Sequence, residues 1–422
     1  MSNNQRRLRL TATGTSGEAL GKLPQRGGFD PHSIRKGNAT LLLRTAFTLV
    51  EMLVVVAIIS ILAVLVTVAV AGAMRAGKRA AIATEMSQIA MALEHYKDEF
   101  GEYPPDFFDD AALIRHVKKR WPRFDFQQPA LPTDSPPTDV QLANRLRSAM
   151  AWALRNTSVY PQSVIQEWVG SAPPSGGYSF GFSYSEANIS ALAFWLGGLP
   201  NREGRFEGFS ADPEAPFGRD ANGRINRGIS IAQSAYFSDG SSTQIGTPDK
   251  KVFVELEINK NVFFFNHGRD YVSFCIGTKS GSSILPIVYF RGKAEGGSGA
   301  YYSLNRDYPT STAQNLKIYD FGSRIAATGS APGTVWRDCK LAVPYAKSGN
   351  VQYTWFSTYT TVWMEPTKYQ LIHPGLDGVF GVINAGNIPY GRVISTGAGI
   401  GQYDLDNLTN FSGGKELKSI LP

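Results

Sequence analysis

Cysteine is the scarcest residue in this chain: Cys275 and Cys339 are the only two among 422 residues. Two thiols exclude a disulfide-dense scaffold and any all-cysteine zinc site. The five histidines (His32, His95, His116, His267 and His373) are scattered without metal-ligand spacing. Charge is thin as well, at 18% of residues, and its excess of one sign is local. Residues 1–46 hold eight basic and two acidic residues, which leaves 34 basic against 33 acidic in the rest. The basic character therefore belongs to the first tenth of the chain, and net charge gives no footing for nucleic-acid binding. Motifs of catalysis are missing too. Gly277-Thr278-Lys279-Ser280 lacks the upstream glycine of a phosphate loop, and neither a Gly-x-Ser-x-Gly elbow nor a His-Glu-x-x-His helix occurs. Gly397-Ala398-Gly399-Ile400-Gly401 does not lead into a helix-like sequence, and His267 reads as a turn residue. The expectation is a protein that is not an enzyme.

What the chain does have is one long apolar run. Phe47 to Met74, FTLVEMLVVVAIISILAVLVTVAVAGAM, spans 28 residues with Glu51 as its only charge. As a helix it would be about 42 Å long, enough to cross a hydrocarbon core of about 30 Å. A carboxylate inside it costs up to about 3 kcal/mol at the bilayer centre and less near an end. Snorkelling of a terminal acid is the bland account of Glu51. Its place, fifth from Phe47, gives a sharper one. The stretch Ala46-Phe47-Thr48-Leu49-Val50-Glu51-Met52-Leu53 resembles the processing site of type IV pilins and type II secretion pseudopilins, with Ala46 where that family usually has Gly. The resemblance implies cleavage before Phe47 by a prepilin peptidase, N-methylation of the new terminus, and pairing of its amine with Glu51 of a neighbouring subunit. Ala46, Phe47 and Glu51 are thus the processing residues, Phe47 and Glu51 the assembly residues. The rival is an ordinary signal peptide cut after Ala71-Gly72-Ala73, which would release a secreted enzyme; the apolar run is about twice as long as a signal-peptide core.

No proline occurs between Phe47 and Pro104, so one helix of 57 residues is allowed, with Gly72 and Gly77 as the places for a bend. Ile82, Met86, Ile89, Leu93, Tyr96 and Phe100 recur at spacings of four and three, the mark of one buried face. The helix is expected to stop near Gly101, before Pro104-Pro105. Residues 104–137 read as a polar, proline-rich connection. Thr138 and Gln141 have capping-box spacing before Leu142, Leu146, Met150 and Leu154, which predicts a short helix. Ser185 to Leu196 predicts another, ending at Gly197-Gly198. Glycine then thickens, with 10 of 43 in residues 1–170 and 33 afterwards, as expected of strands and turns. Alternation of Val252, Val254, Leu256 and Ile258 with Phe253, Glu255 and Glu257 predicts a strand, as do Val272–Ile276, Ile284–Arg291 and Val351–Glu365.

The fold expected is α+β and pilin-like: a long N-terminal transmembrane and amphipathic helix packed on an antiparallel β-sheet head with a large insertion. Its divisions are a leader (1–46), the transmembrane part of the helix (47–74), its amphipathic half (75–103), a linker and helical insertion (104–170) and a β-rich head (171–422). The run His373-Pro374-Gly375-Leu376-Asp377-Gly378-Val379-Phe380-Gly381 resembles the calcium loop of the major pseudopilin, where Asp-Gly precedes Phe-Gly. The family continues directly with acids; here the next ones are in Asp404-Leu405-Asp406-Asn407. The resemblance implies Ca2+ held by Asp377, Asp404 and Asp406, and the alternative is an Asx-type turn with solvated acids. A head in an oxidising compartment would allow a Cys275–Cys339 disulfide, against two buried free thiols. The function implied is a subunit of a type II secretion pseudopilus, or alternatively of a pilus-like appendage for adhesion or DNA uptake. Its partners would be copies of itself and other pseudopilins in a filament, the prepilin peptidase and an inner-membrane assembly platform. It would pass the inner membrane once, with the N-terminus cytoplasmic and the head periplasmic.

Overall fold

The computed structural model describes residues 48–126, 138–154, 166, 179–180, 187–219, 222–228, 245–266, 271–280, 283–292, 302–304, 314–316, 319–320, 341–349, 362–381, 392–397 and 400–422. The chain divides into two units, Met1–Leu65 and Val66–Pro422. The first contributes the start of helix α1 (Leu49–Phe100), and every described residue in it is exposed. In the second unit α1 runs on exposed to Lys78, and then its apolar stripe goes under the head. Ile82, Met86, Ile89, Ala92, Leu93 and Tyr96 are buried, as the four-and-three spacing predicts. Phe100 is half-buried, its ring 4.6 Å from Tyr96. The helix stops where expected: Gly101 takes φ +74°, and its N–H donates to Lys97 O at 2.6 Å.

The connection at 104–137 is not all loop. Helix α2 (Asp110–Arg120) begins at Asp109, whose side chain accepts from Ala112 N at 3.0 Å, and ends in Lys118, Lys119 and Arg120, which complement the negative end of its dipole. One short face, Ala112, Leu113, Ile114, His116 and Val117, is buried, so its pattern is easily lost among the flanking prolines. Helix α3 (Asp139–Leu154) starts as the capping box predicts: Thr138 N donates to Gln141 Oε1 at 2.9 Å, and Gln141 N to Thr138 Oγ1 at 3.3 Å. Helix α4 (Ala191–Gly197) is shorter than the predicted Ser185–Leu196, because a 3-10 turn, Ala187–Ser190, precedes it. It ends at Gly198, φ +82°, where a Cβ would strike the backbone of Gly208.

The strands form several small sheets. In the largest, β1 (Ser179–Phe180), β3 (Tyr271–Ser280) and β2 (Val262–Asn266) lie in that order, with β4 (Ser283–Pro286) also on β3. A second places β12 (Tyr369–His373) between β5 (Val288–Arg291) and β14 (Leu408–Thr409), all antiparallel. The pairs β6 (Tyr302–Leu304)–β7 (Gln314–Leu316) and β8 (Tyr319–Asp320)–β9 (Leu341–Ala342) are antiparallel as well. A third sheet sets β10 (Tyr345–Ser348) between β11 (Val362–Trp363) and β13 (Arg392–Val393). Among the described strands, the pairs β1–β3 and β10–β13 are parallel and depart from the antiparallel rule. The predicted strand Ile284–Arg291 is cut in two at Ile287, next to Pro286, which has no N–H for a ladder. Of Val351–Glu365, residues 351–361 lie outside the described set, and Val362–Trp363 is a strand.

The alternating segment 252–258 is not a strand. Its main chain makes only isolated bridges, Glu257 with Arg205 and Ile258 with Val262, and bonds to the end of α4 and to a turn, Phe253 N to Leu196 O at 2.8 Å and Ile258 N to Gly204 O at 2.9 Å. Phe253 stands against α1 instead, with ring centroids 4.8 Å from Tyr96 and 5.3 Å from His95. Alternation matched burial only at Leu256 and Ile258: Val252 is exposed, and Phe253, from the other face, packs on the core.

Candidate functional site

The apolar part of α1 opens with a motif that spacing analysis passed over. Thr48 and Glu51 form a capping box: Thr48 N and Oγ1 donate to Glu51 Oε2 at 2.9 and 3.0 Å, and Glu51 N donates back to Thr48 Oγ1 at 3.2 Å. The signal was present as Thr-x-x-Glu at the head of an apolar run. Within one chain Glu51 is thus held by its own helix start, aligned with orphan N–H groups. From Leu49 to Met74 no side chain is covered, and this is the helix long and apolar enough to cross a membrane. Ala46 and Phe47, the other two residues expected to be the processing site, lie outside the described residues.

The three C-terminal acids are near enough to raise one another's carboxyls, but each has partners of its own. Asp404 is fully buried and paired with Arg392, Nε to Oδ1 2.6 Å; its Oδ2 accepts from Gly401 N at 2.8 Å. Asp406 Oδ2 accepts from Leu376 N at 2.8 Å and Asp377 N at 3.2 Å. Asp377 is exposed, and its Oδ1 accepts from Val379 N at 2.8 Å, which is an Asx turn. Its carboxyl is raised to about 6, by partial burial first and then by the neighbouring Asp406 and Asp404 charges. Among the described residues, no group of three or more His, Cys, Asp or Glu side chains is placed to hold a metal ion. Asp404 already faces a guanidinium, and Asp406 gives Oδ2 to a pair of peptide N–H groups while its Oδ1 is buried without a hydrogen bond.

A buried polar relay joins α1, α2 and β5, and nothing in the sequence pattern announced it. Arg120 Nη1 donates to Tyr96 Oη at 2.8 Å, and Tyr96 Oη lies 2.6 Å from His116 Nε2. His116 Nδ1 is 3.0 Å from Glu102 Oε1, and Arg291 Nη2 donates to Glu102 Oε2 at 2.7 Å. A neutral imidazole with its proton on Nδ1 satisfies every link. Burial pushes His116 down to about 4, outweighing the upward pull of Glu102, and pushes Tyr96 up to about 12. Burial would raise Glu102, but the His116 hydrogen bond and Arg291 bring it down to about 2. The Arg120 guanidinium lies over Phe100, Trp121 and Phe209 at 4.4, 4.6 and 4.7 Å. This is a clamp fixing the end of α1 to α2; Tyr96 and His116 are sealed from solvent, and Glu102 and Arg120 are partly exposed.

Burial also lowers His373, to about 3; its Nδ1 accepts from Gly375 N at 3.1 Å. Both imidazoles stay neutral where an unfolded histidine, near its ordinary 6.5, takes up a proton. Each therefore stabilises the fold fully above pH 6.5, and that contribution fades as pH falls toward 4 for His116 and 3 for His373. Asp377, raised above its ordinary 3.8, works in the opposite sense. In histidine-labelled protein, the His116 and His373 ring resonances are expected to stand still from pH 8 to about 5. A midpoint near 6.5 for either would show it to be accessible to water.

Cys275, on β3, is buried with its thiol free, and burial holds its ionisation well above the usual range. Cys339 lies outside the described residues, so its pairing with Cys275 stays at the level of a sequence expectation.

Compared with known proteins, the chain matches no curated protein and no solved structure. One family description does match, the prokaryotic N-terminal methylation motif, over residues 43–67. That segment holds Ala46, Phe47 and the Thr48–Glu51 box, and leads into the uncovered apolar helix. The chain thus carries the processing and anchoring segment of type IV pilin- and pseudopilin-type prepilins.

Proposed function

We propose that this protein is a filament subunit of a type II secretion pseudopilus or a related type IV pilus-like system. One observation carries the reading: the methylation motif sits on a helix whose first half is bare and whose second half is packed. Such a helix needs an apolar environment other than its own head, first lipid and then the helices of neighbouring copies. Prepilin peptidase would cut between Ala46 and Phe47 and methylate the new amine. The subunit would wait in the inner membrane with its head in the periplasm until an assembly platform draws it into the fibre. Other pseudopilins are its partners in that fibre, and its mechanism is assembly.

Mass spectrometry of the N-terminal peptide from cells tests the reading. The mature protein is expected to begin at Phe47 with a methylated amine. A terminus near Met74 would overturn the proposal and restore the signal-peptide rival.

A further inference from the structure

A loop rich in carboxylates needs positive charge to hold it closed, and here that charge is covalent. We infer that the Arg392 guanidinium takes the place of a metal ion, closing the C-terminal loop on Asp404 so that the loop needs no calcium. Arg392 and Asp404 side chains are 1% and 0% exposed, and their 2.6 Å contact lies inside the head. Burying both charges costs several kcal/mol per ion, so the pair persists only with further hydrogen bonds around it. Those bonds are present. Tyr345 Oη donates to Asp404 Oδ1 at 3.1 Å, and Gly401 N donates to Oδ2. Asn407 Nδ2 donates both to Tyr345 Oη at 2.9 Å and to Phe380 O at 3.1 Å.

The backbone places Arg392 for this task. Strand β13 pairs with β10 so that Arg392 stands opposite Tyr345, and the guanidinium carbon lies 5.6 Å from the Tyr345 ring. Gly381 approaches from the far side with φ +122°, and a Cβ there would strike both Arg392 Nη2 and the Asp404 carboxylate. Only glycine lets the turn 373–381 close over the ion pair. The turn's other end is tied by Asp406, which receives the N–H groups of Leu376 and Asp377. Calcium takes six to eight oxygens at about 2.3–2.6 Å. A guanidinium at Asp404 occupies the approach to that carboxylate and repels a dication. Removing the arginine would leave three acids, Asp377, Asp404 and Asp406, on one loop with no cation of their own.

The test compares full-length protein in detergent in about 2 mM calcium and in chelator, above the weak end of extracellular calcium affinities. The wild type is expected to melt at the same temperature in both, within about 1 °C, and to carry no stoichiometric calcium by elemental analysis. Arg392→Gln is expected to melt lower in chelator and to gain a calcium-dependent rise of several degrees. Should that variant fail to fold, Arg392→Lys, which keeps the charge, is expected to fold and to remain indifferent to calcium. A wild type stabilised by calcium, or holding about one equivalent of it, would overturn the inference. So would a calcium response in Arg392→Lys, or a folded Arg392→Gln that melts like the wild type and ignores calcium. None of these results depends on where the N-terminus is processed.

Discussion

Glu51→Ala is expected to insert normally in the membrane yet enter filaments at least about tenfold less than the wild type, a deficit of about 1.4 kcal/mol. Monomer insertion should not suffer, because the substitution removes the cost of a carboxylate in an apolar layer. In the proposed fibre the same carboxylate meets the methylated amine of a neighbouring Phe47, and an unpartnered amine there would be costly. Yet the structure gives Glu51 a second occupation, the box with Thr48. Glu51→Gln separates the two. Its amide oxygen still accepts from Thr48, so the helix start survives, but it offers no charge to the amine. Filament yield, read by shearing and immunoblotting, should fall for Gln nearly as far as for Ala. Wild-type yield from Gln would leave helix capping as the whole role of Glu51 and refute the pairing.

The second large effect belongs to the buried relay. Glu102→Ala is expected to cost about 3 kcal/mol, because it takes the carboxylate from the Arg291 guanidinium and the His116 Nδ1–H together. For a head of this size the melting temperature of the full-length protein should fall by about 4–6 °C. Arg115→Ala is the contrast. Its guanidinium is 60% exposed and 3.8 Å from the same carboxylate, so its loss should change stability by less than about 0.5 kcal/mol. If Glu102→Ala and Arg115→Ala melted alike, the relay would be incidental to the fold.

The long helix, its apolar half, its buried stripe and its stop at Gly101 were all readable along the chain. So was the start of α3, because Thr138 and Gln141 satisfy each other within one turn. These features depend on neighbours three or four residues away, and sequence order contains that information. Helix α2 was missed although it obeys the same rules, since Asp109 caps it and its basic end is conspicuous. There the prolines around it outweighed a short apolar face.

What the chain alone determined is its N-terminal logic: a processing motif, one acid in an apolar run, and a periodic face that calls for a head to cover it. The tertiary structure alone decided which distant groups would meet. His116 was one of five scattered histidines until α2 set it between Tyr96 and Glu102. Asp404 was one acid of a C-terminal cluster until β13 brought Arg392 against it. Segment 252–258 had the alternation of a strand until Phe253 found α1 and its peptide groups found the end of α4 and isolated bridges. The physical reason is common to all three. Local hydrogen bonds and periodic burial are fixed by short-range spacing, whereas the partner of a buried charge or a strand edge is fixed by whichever distant surface packs against it.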